Sequence, residues 1–217
     1  MTAAIPRKTG LIRRSERRTG VVVMGRCSWS LAAAAGRADR TENVSHAAPG
    51  SGDAGRMTVW NVMYEDWQLE CCGDPFAVGD EVTWRLMVDT TAPEREWRAE
   101  LTEIEGPVES AGGGPVVCSG GVTVPWTGSG AWPPRLHLRG LLRVEHHGGE
   151  WPRTTGVVRG IQVVGQGFLE ENLVPGKRTL RPVDRCPKRF EHVGRAAAGA
   201  KLRREETGVL VALEVEV

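Results

Sequence analysis

Residues 81–89, EVTWRLMVD, alternate between apolar side chains and polar or charged ones. Successive side chains of an extended strand point to opposite faces of a sheet, so this alternation places every second residue on the same face. The apolar face carries Val82, Trp84, Leu86 and Val88. The segment is therefore predicted to form a half-buried strand, with Trp84 in the core.

Several other segments show a strand pattern. Residues 208–217, GVLVALEVEV, predict an inner face made of Val209, Val211, Leu213, Val215 and Val217. Residues 115–126, 135–147 and 154–165 are rich in apolar or β-branched residues and are bounded by glycine or proline. Many short strands with frequent turns are typical of antiparallel all-β domains. We predict a mainly β fold, a single antiparallel barrel or sandwich, with a small SH3-like or OB-like barrel as one alternative.

Two segments have helical features. Residues 94–105, EREWRAELTEIE, space their apolar residues in a way that fits either a helix or a strand, and we favour a strand. Residues 187–204 contain the best candidate for a short C-terminal helix, although Gly194 and Gly199 weaken it.

The first 56 residues show no sustained apolar period and are predicted to form a disordered basic leader. Composition changes at Met57, so we place a β-rich domain at residues 57–217 and consider Met57 an alternative translation start. The sequence contains no apolar run long enough to span a bilayer, and Arg26 interrupts the only stretch similar to a signal peptide. The 5 cysteines have no regular spacing, which favours a cytoplasmic protein over a secreted one.

The stretch WQLECCGDPFAVGDEVTW, residues 67–84, is predicted to form a hairpin. Asp74-Pro75 and Gly79-Asp80 are turn-forming pairs, because proline fixes φ and glycine accepts unusual backbone angles. Phe76 and Val78 are expected to point inward between the turns. Cys71 and Cys72 are then the last residues of the strand that precedes the first turn.

This stretch also resembles a known family, together with VEHHGGEWPRTTGVVRGIQVV at residues 144–164 and VPGKRTLRPVDRCPKRFE at residues 174–191. The family consists of uncharacterised actinobacterial proteins that share a domain of unknown function. The resemblance covers roughly residues 57–192 and leaves the leader outside. It implies a cytosolic protein but transfers no activity, ligand or catalytic residue.

Metal binding is one functional hypothesis. Cys71, Cys72, His146 and His147 supply the sulfur and nitrogen ligands that zinc prefers, and Cys118, Cys186, His137 and His192 are further candidates. Adjacent side chains on a strand point to opposite faces, so both members of a pair could bind one ion only where the backbone turns. The spacing therefore falls short of the usual zinc signature, and a zinc-binding metalloprotein, with or without enzymatic activity, is the alternative hypothesis.

The leading hypothesis is a non-catalytic binding or regulatory module. Trp126, Trp132 and Trp151 lie beside prolines in predicted loops, where exposed indoles often form binding surfaces. We expect these loops to face the His146-His147 turn and to present a tryptophan-rich surface to a protein or a small ligand. The sequence shows no recognisable catalytic motif. Nucleic-acid binding through the basic residues 1–56 is a third hypothesis.

Overall fold

The alternating segments form long strands in the computed structural model, which describes residues 55–169, 172–192 and 202–217. The described residues include eleven strands and two short helices. In chain order these are β1 (Met57–Glu65), α1 (Asp66–Cys72), β2 (Glu81–Trp84), β3 (Leu86–Asp89), α2 (Glu94–Trp97), β4 (Thr102–Ala111), β5 (Gly114–Ser119), β6 (Val122–Pro125), β7 (Arg135–Val144), β8 (Thr154–Leu169), β9 (Asn172–Leu173), β10 (Thr179–Val183) and β11 (Leu202–Glu216).

The strands belong to one sheet with the order β10-β8-β11-β1-β7-β4-β5-β6. Off this path, β2 and β9 pair with β8, and β3 pairs with β7. Since β2 and β3 follow each other directly, the 81–89 segment pairs first with β8 and then with β7. The sheet is curled into a half-barrel.

Two features give the sheet its shape. The longest strands, β8 and β11, pair antiparallel, with register shifts at 206/208 and 212/213 that bend them. The first shift lies at Gly208, whose φ is +133° and where a Cβ would meet the Tyr64 carbonyl oxygen at 2.2 Å. Only glycine fits both the backbone angle and the close approach. Among the described strands, β1 and β7 form the one parallel pair, at Val62 and Met63, and the other pairs are antiparallel.

The central strands are buried on both faces. One face carries the main core, which includes Val62, Tyr64, Leu142, Val211 and Leu213. Residues that alternate with these, Met63, Leu141, Val164 and Leu210, pack with Trp97 of α2 in a second cluster. Helix α2 therefore covers the back of the strands whose front side forms the main core.

The prediction of a mainly β fold is confirmed, and so are several of its details. Trp84, Leu86 and Phe76 are buried, and so are Val209, Val211, Leu213 and Val215. A single closed barrel or a sandwich is not confirmed, because the sheet is a half-barrel with one parallel pair.

Other expectations are corrected. Cys71 and Cys72 end a helix rather than a strand. Val78 and Val217, predicted to point inward, are exposed, the latter at 53% at the edge of the core. Of residues 94–105, predicted as a strand, Glu94–Trp97 form helix α2, whose Trp97 is buried, and the strand begins only at Thr102.

The C-terminal helix predicted within residues 187–204 is not seen in the part of that segment that the structure describes. Residues 187–192 contain no helix, and β11 already begins at Leu202. Residues 193–201 lie outside the described residues. The predicted leader also lies outside them, apart from Gly55 and Arg56. None of the helices in the described part of the chain has the length and apolar character needed to span a bilayer.

Candidate functional site

The parallel pairing of β1 with β7 brings the predicted cysteine and histidine pairs to one edge of the sheet. β1 leads directly into α1, and β7 leads into the turn at residues 145–149. Because parallel strands run in the same direction, the segments that follow them start at the same edge. Helix α1 and the 145–149 turn are therefore neighbours.

Helix α1 has only seven residues, with no side-chain hydrogen bond capping its first turn. A helix this short depends on packing rather than on its own hydrogen bonds. Gln68 and Leu69 supply the buried side. Its last turn closes with a hydrogen bond from the Gly73 amide to the Leu69 carbonyl oxygen, 3.2 Å long. A Cβ at residue 73 would lie 2.9 Å from the Tyr64 hydroxyl oxygen, so glycine is needed there as well.

The two cysteines end α1 and point in similar directions. Successive residues of a helix are about 100° apart around its axis, whereas those of a strand are on opposite faces. The Sγ atoms of Cys71 and Cys72 are 2.7 Å apart, and both side chains are exposed. Because they lie on a helix and not on a strand, the two adjacent cysteines can reach the same ion.

His147 completes a group of three possible metal ligands. Its Nε2 lies 3.4 Å from Cys72 Sγ and 4.0 Å from Cys71 Sγ. All three ligand atoms lie within 4.8 Å of one another, and all three residues are exposed. The His147 ring stacks on the indole of Trp67, with ring centroids 5.2 Å apart and planes at 24°. Trp67 thus fixes the orientation of the imidazole.

His146 lies on the other side of the turn and does not join this group. Its Nε2 forms a hydrogen bond with the hydroxyl of the buried Tyr64, and the two rings stack with centroids 5.4 Å apart. Burial, and then the neighbouring His147, lower the pKa of His146 below its ordinary value. Burial raises the pKa of Tyr64, so the phenol stays protonated. Of the predicted histidine pair, one faces the core and the other faces the cysteines.

Gln68 joins α1 to the turn. Its side-chain amide donates to the Val144 carbonyl oxygen and accepts from the His146 backbone N–H, both over 3.0 Å. The side chain is only 2% exposed. On the turn itself, the Glu145 carboxylate accepts from the backbone N–H groups of His147 and Gly148, over 2.6 and 2.8 Å. These contacts fix the position of helix α1, and so of the cysteines, relative to His147. The sequence analysis missed Gln68, because nothing local distinguishes a buried glutamine from a solvated one.

The remaining cysteine and histidine candidates lie elsewhere. Cys186 is buried, and burial raises its pKa to about 12, which keeps it as a thiol. Cys118 lies in β5. His137 and His192 are next to carboxylates, 3.7 Å from Glu103 and 3.5 Å from Asp66 respectively. The structure thus brings together three of the four ligands that the sequence favoured.

Two of the three predicted tryptophans line a cleft on the far side of the same turn. The cleft has a volume of about 310 Å³, and its walls include Trp126, Trp151, Glu145 and the 113–114 and 148–149 glycine pairs. The Trp151 Nε1 donates to the Leu86 carbonyl oxygen over 3.1 Å, which fixes that ring. Trp132 is 49% exposed and does not line the cleft. A larger cleft of about 680 Å³ over β8, β10 and β11 contains none of the predicted site residues.

Comparison with known proteins gives a family but no activity. No curated protein and no solved structure matches the chain significantly. A family model matches residues 58–215, nearly the same span as β1 to β11. The family is described as one of unknown function, and the match confirms the resemblance to an uncharacterised domain. The chain belongs to this family, DUF6578.

Proposed function

We propose that this chain binds a thiophilic transition-metal ion, with zinc as the leading candidate, through Cys71, Cys72 and His147. One observation carries the proposal. The ligand atoms come from segments 75 residues apart in sequence, yet they lie within 4.8 Å of one another. Thiolate sulfur and imidazole nitrogen are the ligands that zinc prefers.

The distances are compatible with coordination after a small rearrangement. Tetrahedral zinc has Zn–S bonds of about 2.3 Å, which sets the separation of two bound sulfurs at about 3.7 Å. The Sγ atoms of Cys71 and Cys72 are 2.7 Å apart, so they must spread by about 1 Å. Both side chains are exposed, and rotation about χ1 is open to them.

The electrostatics of α1 also favour a cation. Both cysteines lie in the last turn of the helix, where the unpaired carbonyl groups carry partial negative charge. That turn holds no basic residue. Two thiolates at this end repel each other unless a cation lies between them, and a divalent ion balances their charge.

The metal content of the purified chain tests the proposal. Untagged full-length protein, prepared without chelator, is expected to contain about one zinc ion per chain by elemental mass spectrometry. Cys72→Ser and His147→Ala should lose that ion. His137→Ala is the matched control, because this histidine is exposed in β7 away from the cysteines, and it should keep the metal. Metal-free wild type that also takes up no added zinc would refute the proposal.

The cleft beside Trp126 and Trp151 favours a second function, non-catalytic binding of a small organic ligand. Its volume of about 310 Å³ is at the lower end of the range for small-molecule sites, and its walls are mostly apolar. This proposal keeps Trp126 and Trp151 of the predicted tryptophan-rich surface and leaves out Trp132. The third hypothesis, nucleic-acid binding through residues 1–56, concerns residues outside the described ones and stays a prediction.

A ligand screen tests the cleft. Ligand-observed NMR with a library of small organic fragments should find compounds that bind the wild type and not Trp126→Ala. Trp132→Ala is the control, since this exposed indole lies outside the cleft. Equal binding to all three proteins would exclude the cleft as the site.

A further inference from the structure

We propose that the bound metal takes its fourth ligand from outside the chain, and that this ligand is the thiolate of a small thiol compound. The inference rests on the proposed metal site. Four ligands complete a tetrahedral zinc site, and structural sites take all four from the protein. Here the described residues supply only the three of Cys71, Cys72 and His147.

Three neighbouring side chains that could supply a fourth ligand are engaged elsewhere. His146 is bonded to Tyr64. The Glu145 carboxylate holds the turn through two backbone N–H groups. The Glu70 carboxylate accepts from the Phe190 backbone N–H over 3.1 Å. Each of these groups would have to give up a hydrogen bond to reach the metal.

The fourth position faces solvent. All three ligand residues are exposed, and none of them lines either of the two clefts described above. A catalytic zinc site usually lies in a pocket that excludes water and holds a base beside the metal. An exposed edge suits a ligand that arrives from solution and exchanges.

The chemistry of the first three ligands selects the class of the fourth. Two thiolates and one imidazole make a soft ligand set, and a further thiolate would complete it as three sulfurs and one imidazole, one of the common closed ligand sets of zinc.

An apolar surface beside the metal completes the site for a small thiol. Trp67 is 51% exposed and already stacks on His147. Its indole offers a flat surface on which the carbon chain of a thiol compound can pack. Trp67 and the metal are then two points of contact for one small thiol ligand.

Cobalt substitution tests the inference, because Co²⁺ replaces zinc and its sulfur-to-metal charge-transfer absorption grows with each bound thiolate. Addition of glutathione to the Co²⁺-loaded full-length chain should raise this absorption by about one half, from two thiolates to three. S-methylglutathione, which has no free thiolate, should leave the spectrum unchanged. Native mass spectrometry should detect chain, metal and glutathione in a 1:1:1 complex.

The other outcomes separate the two proposals. Failure of the wild type to take up Co²⁺ would refute the metal site itself. Uptake followed by an unchanged spectrum with glutathione would refute the outside thiolate and leave the metal site standing. A spectrum that changes instead on Asp74→Asn would assign the fourth ligand to the chain. Loss of Co²⁺ to glutathione, or dimerisation on metal loading seen by sedimentation, would also overturn the inference.

Discussion

Two polar clusters in this molecule each join side chains that are far apart in sequence, but their chemistry differs. One is the cysteine-histidine cluster, and the other is formed by Glu100 and Arg178. Cys72 and His147 are 75 residues apart in sequence, and Glu100 and Arg178 are 78 apart. Yet Glu100 is only 8% exposed, and Arg178 donates three hydrogen bonds of 2.9 to 3.0 Å to it. The Arg178 guanidinium also lies 4.4 Å from the centre of the Trp97 ring. The cysteine-histidine cluster, by contrast, is exposed.

The difference shows how to tell a structural cluster from a candidate binding site. Arginine and glutamate complete each other, because one donates hydrogen bonds and the other accepts them. Two cysteines and a histidine, once the thiols are deprotonated, offer lone pairs to a common point where a metal cation can bind. Long sequence separation and close approach are common to both clusters. The kinds of polar atoms and their exposure separate the two clusters.

The largest effect is expected from breaking the structural cluster. Arg178→Ala leaves the Glu100 carboxylate buried without a partner and should lower the free energy of unfolding by about 3 kcal/mol, measured by urea denaturation. Metal content should not change. Arg135→Ala is the control, because its ion pair with Glu105 is exposed, and it should cost less than about 0.5 kcal/mol. Equal effects of the two variants would show that burial does not distinguish these pairs.

The second-largest effect is expected when zinc binds to the cysteine-histidine cluster. Zinc at about 100 times its dissociation constant should raise the free energy of unfolding of the wild type by about 2.7 kcal/mol. The same addition should leave the stability of His147→Ala unchanged, because that variant lacks a ligand. Without metal, the variant and the wild type should be about equally stable, within about 0.5 kcal/mol, since His147 is exposed. Zinc stabilisation of both proteins would place the metal elsewhere.

Gln68 is buried like Glu100, but it supports the segment that carries the proposed metal ligand His147. Gln68→Ala leaves the Val144 carbonyl and the His146 amide without partners, and it should lower the free energy of unfolding by about 2 kcal/mol. It should also weaken zinc binding, measured by calorimetry below the unfolding temperature. Reduced stability with unchanged zinc affinity would limit Gln68 to a structural role.

The smallest effect concerns Asp89, which lies between the two extremes in burial. Burial by itself would raise its pKa, but hydrogen bonds from Thr91 and Arg143 outweigh this and lower the pKa below its ordinary value. A lowered folded-state pKa stabilises the fold above the unfolded pKa of about 3.9, and that stability is lost as the pH falls further. The stability difference between wild type and Asp89→Asn should therefore shrink as the pH falls below about 4. A difference that is constant with pH would exclude this linkage.

Sequence reasoning succeeded where the signal was local. The alternation in residues 81–89 predicted the burial of Trp84 and Leu86, which is confirmed. It failed for α1, which has no helical period of its own and exists because Gln68 and Leu69 pack into the fold.

The candidate site was predictable in part. The sequence named Cys71, Cys72 and His147, but it could not choose between His147 and His146. That choice depends on the parallel pairing of β1 with β7, which no local sequence pattern predicts. Adjacent residues at a strand end point in different directions, so once His146 faces Tyr64, His147 faces the cysteines.

The pairing of β1 with β11 has a consequence for protein synthesis. The first strand of the sheet pairs along its whole length with the last, from Met57 with Glu216 to Glu65 with Gly208. At ribosomal elongation rates of roughly 5–20 residues per second, β1 and α1 emerge on the order of ten seconds before β11. During that interval β1 lacks the partner with which it pairs along its whole length. A chain that is cut short before β11 would therefore carry both cysteines beside an unpaired edge of β1, and such an edge is open to pairing with other chains.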